Sequence, residues 1–213
     1  MMKFRSLLSP SDRHSEILFG LIMVLAITGT VGLETGGSRK AVISAGIGAC
    51  IAWGIVDGII YVYTNLLERG RIALAAQEAS TCTEEGCDLR KIKEELEDTI
   101  VDTLGEREKQ EVARHILTRL KPVENHTHAT KEDILGGIAA GALVFVSGIP
   151  PLIPFLFLDG AWAMRLSSII GLVMLYSIGY RWGGYIGRSR FWTGVTMMSV
   201  GIVITGVVIV LGG

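Results

Sequence analysis

The sequence predicts an all-α membrane protein with five transmembrane helices and a cytoplasmic helical-hairpin insert between the second and third helices. Its mean hydropathy of +0.46 and its hydrophobic content of 49% exceed those of ordinary soluble domains. The charged side chains are concentrated in residues 1–15 and 68–133, whereas the rest of the chain forms long apolar blocks. A net charge of −1 offers no basic excess for a polyanion, so the expected partner is the lipid bilayer and not nucleic acid.

Each apolar block is long enough to cross a bilayer, because a core of about 30 Å needs about 20 residues at about 1.5 Å each. A signal peptide is the alternative for the first block, but the following ETGGSRK lacks a small-x-small cleavage site, which favours a helix. Arg188–Arg190 separates the last two blocks and predicts a tight helical hairpin. The predicted spans are Ile17–Leu33, Ala41–Leu67, Ile134–Leu158, Ala161–Gly187 and Phe191–Leu211, which divide the chain into 1–67, the insert 68–132, and 133–213.

The distribution of basic residues predicts the orientation, since positive charge stays on the cytoplasmic side during insertion. The N-terminus and the connection between the fourth and fifth spans carry more arginine and lysine than the opposite side. We therefore expect the N-terminus and the insert in the cytoplasm and the C-terminus outside, in the cytoplasmic membrane if the protein is prokaryotic. The residues compared are Lys3, Arg5, Arg13, Arg181, Arg188 and Arg190 against Arg39, Lys40 and Arg165.

The insert has the pattern of two amphipathic helices joined near Gly105. Apolar residues recur there at helical spacing. Its histidines and glutamates are suited to a transition metal, but their alternation with lysine and arginine favours a solvated surface. Cys82 and Cys87 lack the spacing of a common zinc site and are expected to be reduced thiols. The apolar residues are Ile92, Leu96, Ile100, Leu104, Val112, Ile116 and Leu120, and the histidines are His115, His126 and His128.

Asp57 lies within the second predicted span, where an acid costs about 2.5–3.5 kcal/mol. Tyr61, Asn65 and Glu68 follow it on one helical face toward the cytoplasmic end. This stripe predicts a cation or proton path, with Asp57 as metal ligand or proton acceptor. Glu68, and Glu16 at the membrane surface, complete the predicted metal-binding acids.

A structural role for Asp57 is the alternative. Arg181 lies at similar depth in the fourth predicted span, so an ion pair between the two side chains would satisfy both charges.

Small residues mark the expected helix contacts. Gly54 and Gly58 flank Asp57 and would let another helix approach closely, whereas Gly179, Gly183 and Gly187 form a smooth ridge on the fourth span.

The third predicted span contains Pro150, Pro151 and Pro154, which remove backbone donors and clash with the preceding turn. The helix must therefore kink or break. A broken helix would expose carbonyl oxygens that can coordinate a cation, which places Pro150 and Pro154 on the predicted path, while a kink that serves packing is the alternative.

The layout of five spans with a helical insert, together with Ser147–Phe155 (SGIPPLIPF), resembles the vacuolar iron transporter family, whose third helix has the form G-x-x-P-L-x-P-[YF]. The resemblance implies a homodimer that exports Fe²⁺ or Mn²⁺ from the cytosol into a lumen, with the metal as substrate and no permanently bound cofactor. The family's first helix carries an Asp-Gly pair. Here Phe19–Val24 contains no acid, the only membrane Asp-Gly is Asp57-Gly58, and the insert lacks the family's regular Glu-x-x-Glu array.

A second hypothesis is a non-transporting membrane scaffold whose cytoplasmic hairpin binds a protein partner, with Asp57 held by Arg181. The two hypotheses differ in what they require at Asp57. Transport requires a hydrated route to this residue, whereas a scaffold requires a direct contact between Asp57 and a base. An enzyme is not predicted, because the phosphate loop GxxxxGK[ST], the GxSxG elbow and HExxH are all missing from the sequence.

Overall fold

The computed structural model describes residues 8–81, 100–119 and 128–212, and within these ranges the chain is helical and contains no strand. Five of the helices within these ranges are long and apolar enough to cross a membrane, which confirms the all-α class and the five predicted spans. The elements are α1 (Pro10–Glu34), α2 (Arg39–Thr81), a 3₁₀ turn (Ile100–Thr103), α3 (Glu106–Arg119), α4 (Lys131–Leu152), α5 (Pro154–Phe157), α6 (Gly160–Tyr185) and α7 (Arg190–Gly212).

The chain forms two compact units, one of residues 1–62 and 131–213 and the other of residues 63–130. In the second unit, α3 matches the predicted second insert helix, and Glu108 accepts a hydrogen bond from the Gly105 amide at 3.0 Å. Most of the predicted first insert helix, together with Cys82, Cys87 and His126, lies outside the described residues.

The first helix begins at a complete cap and then runs through the core of the first unit. The Ser9 hydroxyl accepts a hydrogen bond from the Asp12 amide, and the Asp12 carboxylate accepts one from the Ser9 amide. Further along, Val24 packs with residues of α2, α4 and α6, whereas Leu21 and Leu25 pack with residues of α6. Burial on two faces places α1 among the other helices of this unit.

Glycines bring α2 and α4 into backbone contact. A Cβ atom at Gly141 would lie 2.2 Å from the Gly54 carbonyl oxygen, and one at Gly137 would lie 2.5 Å from that of Gly58. The order of the two pairs makes the helices antiparallel. The predicted close approach at Gly54 and Gly58 is confirmed.

The three glycines of the predicted ridge, Gly179, Gly183 and Gly187, have two different roles. A Cβ at Gly179 would lie 2.6 Å from the Thr193 carbonyl oxygen, and one at Gly183 would lie 2.7 Å from the Arg190 Cα, so both admit α7. Gly187 instead has a φ of +67° and no neighbour within 4 Å. It therefore turns the chain after α6, a conformation that glycine adopts without strain.

The proline segment interrupts the third spanning helix, as predicted. Helix α4 ends at Leu152, and the short α5 begins at Pro154. The Pro150 carbonyl accepts a hydrogen bond from the Ile153 amide at 3.2 Å, which replaces the donor that Pro154 lacks. Ile153 keeps helical dihedral angles of −55° and −43°, so the interruption is a local tightening of the helix.

The loop between α1 and α2 is joined to the start of α6. Arg39 donates two hydrogen bonds to Asp159, at 3.2 and 2.9 Å, and the Gly160 amide donates to the Gly37 carbonyl at 3.2 Å. This bidentate ion pair is exposed, so we expect it to contribute no more than about 1 kcal/mol.

We expect Gly141→Ala to reduce the free energy of unfolding in detergent by about 1–3 kcal/mol, because a methyl group has no room against the Gly54 carbonyl. Gly48→Ala, on the exposed face of α2 with no neighbour within 4 Å, is the matched control and should be neutral or stabilising. Equal losses in the two variants would show that the α2–α4 contact does not set stability.

Candidate transport site

Two acids from different helices approach each other within the first unit. Glu16 on α1 and Asp57 on α2 are close enough for their charges to interact. Each has one carboxylate oxygen, Glu16 Oε2 and Asp57 Oδ2, that is shielded from solvent and has no hydrogen-bond partner among the described residues. Like charges in an apolar bundle are costly unless a cation or a proton compensates them, so this pair has the chemistry of a cation-binding or proton-accepting site.

The position of Asp57 follows from its flanking glycines. Gly54 and Gly58 lie against α4 and fix this part of α2. One turn further along, the ring of Tyr61 lies over Gly136, where a Cβ would be 2.3 Å from Tyr61 Cε1. The predicted neighbours Asp57 and Tyr61 are therefore both set by the packing of α2 on α4.

Arg13, one of the residues that predict the orientation, is the basic residue next to Glu16 on α1. It precedes Glu16 by one helical turn, and its Nε atom is buried without a hydrogen-bond partner among the described residues. Within the same ranges, no ion pair joins Arg13 to Glu16 or to Asp57. The half-buried Arg13 therefore does not directly neutralise either acid.

Asp133 is a buried acid that the charge pattern of the sequence does not single out. It lies in the first turn of α4 with only 5% of its surface exposed. Hydropathy assigned it to the edge of the charged insert. The signal that could have found it is its spacing, because Asp133, Gly136, Gly137 and Ala140 recur at i, i+3, i+4 and i+7 and are all buried. On this face, Gly136 lies against Tyr61 of α2.

The remaining predicted lining residues are more distant or belong to the other unit. Asn65 is half-buried and Glu68 is exposed in the second unit, so the geometry of the first unit carries only Glu16, Asp57 and Tyr61 from the predicted set. Pro150 and Pro154 flank Leu152, which packs on Gly46 of α2. Gly46 precedes Asp57 by about three helical turns, or about 16 Å, so the prolines do not lie at the acid pair.

Arg181 lies elsewhere on α6, in a cavity lined with Tyr180, Tyr185 and Arg190. In the part of the chain that the structure describes, no ion pair joins Arg181 to Asp57, whose Oδ2 stays without a hydrogen-bond partner. The structure therefore does not bring together the two residues of the alternative hypothesis.

The described residues contain no group of three or more histidine, cysteine, aspartate or glutamate side chains that could hold a metal ion. His115 and His128, named as candidate donors in the insert, are exposed. A cation at Glu16 and Asp57 would therefore complete its coordination with water or backbone oxygen. Such incomplete coordination suits an ion that must also leave.

The five spans and the acid pair have the features of a polytopic membrane transporter for cations. A comparison with protein families matches residues 62–213 to the VIT family, and because this is more than half of the chain, the protein belongs to that family, the vacuolar iron transporters. Its members are membrane metal-ion transporters and not enzymes. No curated protein matches the chain. The matched segment begins at Val62 and includes neither Glu16 nor Asp57. A role for these two acids in transport therefore depends on their geometry and not on the family match.

We expect Glu16→Gln and Asp57→Asn each to raise the free energy of unfolding at mildly alkaline pH, because each removes one of two interacting like charges. The gains should not add, with a coupling of about 0.5–3 kcal/mol in a double-mutant cycle. Glu34→Gln, at the opposite end of α1, should combine additively with Asp57→Asn. Additive effects of Glu16→Gln and Asp57→Asn would contradict the interaction.

Proposed function

We propose that the protein transports a divalent metal cation, Fe²⁺ or Mn²⁺, across the membrane by way of Glu16 and Asp57. The observation that carries this proposal is the approach of two carboxylates from different helices, each with a buried oxygen that lacks a hydrogen-bond partner among the described residues. Family membership supports the class of activity, membrane metal-ion transport.

The chemistry of the pair fits a divalent substrate. Two carboxylates can balance a charge of +2, and carboxylate oxygen is a suitable ligand for Mn²⁺. Because the pair lacks a third side-chain donor of the usual kinds within the described residues, it would bind the ion weakly enough to release it.

Proton exchange follows from the same electrostatics. When the cation leaves, two negative charges remain in an apolar bundle, and proton uptake removes that cost. We infer that protons move against the metal, with Asp57 or Glu16 as the acceptor.

The direction of transport depends on the orientation. We propose that the N-terminus and the insert lie in the cytoplasm and the C-terminus outside, since basic residues favour this arrangement. Tyr61, Asn65 and Glu68 would then line the cytoplasmic approach, and the proline segment would shape the outer half of the path. The proposed functional unit is a homodimer.

The scaffold alternative requires Asp57 to be locked to Arg181, a contact that the described residues do not form. Transport is therefore the function that the geometry favours.

The test is uptake of Fe²⁺ and Mn²⁺ into proteoliposomes, with a pH-sensitive dye in the lumen. We expect Asp57→Asn and Glu16→Gln each to reduce uptake of the metal roughly tenfold or more, since losing a charged contact costs about 1.5–3 kcal/mol. Glu34→Gln, an exposed acid on the same helix as Glu16, is the matched control and should leave uptake unchanged.

Absence of uptake by folded native protein would overturn the transport proposal in favour of the scaffold. Native uptake that both variants retain would keep transport but place its path elsewhere. Metal uptake without a change in luminal pH would remove proton exchange alone.

A further inference from the structure

A cavity of about 380 Å³ lies between the end of α6 and the start of α7. Arg181 and Arg190 contribute to its lining from opposite arms of the helical hairpin, together with Tyr180, Gly184 and Tyr185. Neither Glu16 nor Asp57 lines this cavity, and the transport proposal makes no use of it.

The cavity is strongly basic. Neither Arg181 nor Arg190 forms an ion pair with a carboxylate in the described ranges of the chain. Arg188 lies exposed in the adjoining turn and adds a third positive charge. An anionic ligand would therefore meet fixed positive charge without first displacing a carboxylate partner.

The packing holds the Arg190 side chain against α6. Its guanidinium carbon lies 5.9 Å from the centre of the Tyr180 ring, within the range of a cation–π contact. A Cβ at Gly184 would lie 2.9 Å from Arg190 Nε and 3.3 Å from its Cζ, so the guanidinium occupies the space that this glycine leaves open. The cavity thus depends on a glycine that keeps an arginine in place.

The position of the cavity indicates where its ligand comes from. Tyr185 ends one spanning helix and Arg190 begins the next, so the cavity lies at a membrane–water interface. Tyr185 and Trp192 are 66% and 67% exposed there, and exposed tyrosine and tryptophan are typical of the headgroup level of a bilayer. Lipid phosphates lie at this level.

We propose that this cavity binds the phosphate group of an anionic phospholipid headgroup. The arginine fork matches phosphate geometry with two parallel hydrogen bonds, and basic pockets between spanning helices are suited to such headgroups. The cavity is large enough for a phosphate with its glycerol.

The first experiment compares the thermal midpoint of the full chain in detergent with added phosphatidylglycerol or phosphatidylcholine of the same acyl chains. We expect a larger upward shift with phosphatidylglycerol, because a ligand that binds the folded state stabilises it. Equal shifts for the two lipids would overturn the proposal.

Variants then locate the effect. Arg181→Gln and Arg190→Gln should each reduce the apparent affinity for phosphatidylglycerol about fivefold. Arg165→Gln is the matched control, since Arg165 is on the same helix but lies over Trp162, at 5.3 Å, near the opposite end. A loss of equal size in Arg165→Gln would show a general charge effect and overturn the site.

Gly184→Ala tests the geometry of the cavity separately from effects of net charge and of folding. It leaves the net charge unchanged and favours the helix, but its methyl group displaces the Arg190 guanidinium. We expect a folded protein that has lost its preference for phosphatidylglycerol, and retention of the preference in this variant would contradict the proposed geometry. Adding inorganic phosphate or glycerol 3-phosphate tests whether the ligand is a lipid headgroup or a free anion. If either one stabilises the protein as much as phosphatidylglycerol does, the ligand is a free anion and not a lipid.

Discussion

The contact between α2 and α4 fixes the candidate site. In a bilayer, helices do not associate by the hydrophobic effect, and close packing of small residues takes its place. Gly54 against Gly141 and Gly58 against Gly137 bring the two backbones together on either side of Asp57. The side chains between these glycines have little freedom to shift along the interface. An acid placed there is held at one depth of the bundle whether or not a cation is bound.

The fold holds two carboxylates close together at this site, although their electrostatic repulsion opposes this arrangement. Glu16 and Asp57 interact as like charges, and each has a buried oxygen without a hydrogen-bond partner among the described residues. Close packing around α1 compensates for this cost, because Leu21 and Val24 are fully buried and Gly20 lies against Ser147 of α4. Unfavourable local electrostatics inside well-packed helices is expected where a protein must bind and release an ion.

Hydropathy predicted the spans because every backbone group in a bilayer must be satisfied within a helix. It did not predict where the helices end. Helix α2 continues to Thr81, well beyond the predicted Leu67, since most of the residues that follow, ERGRIALAAQEAST, are good helix formers. The same criterion hid Asp133 at the start of α4. Gly54 and Gly58 were predictable from spacing alone, whereas the approach of Glu16 to Asp57 was not, because periodicity describes one helix at a time.

The arginine cavity and the acid pair are connected through α1. His14, two residues before Glu16, packs edge-on against Tyr185 with ring centres 5.5 Å apart, and Tyr185 is part of the cavity wall. A headgroup held by Arg181 and Arg190 would restrict Tyr185 and, through it, the start of the helix that carries Glu16. The two groups of charges also differ in their access to solvent. The arginines lie where water and phosphate can reach them, whereas the acids lie among apolar helices. Lipid bound at the hairpin would thus stabilise the helix that carries the half-buried Glu16 without neutralising this acid.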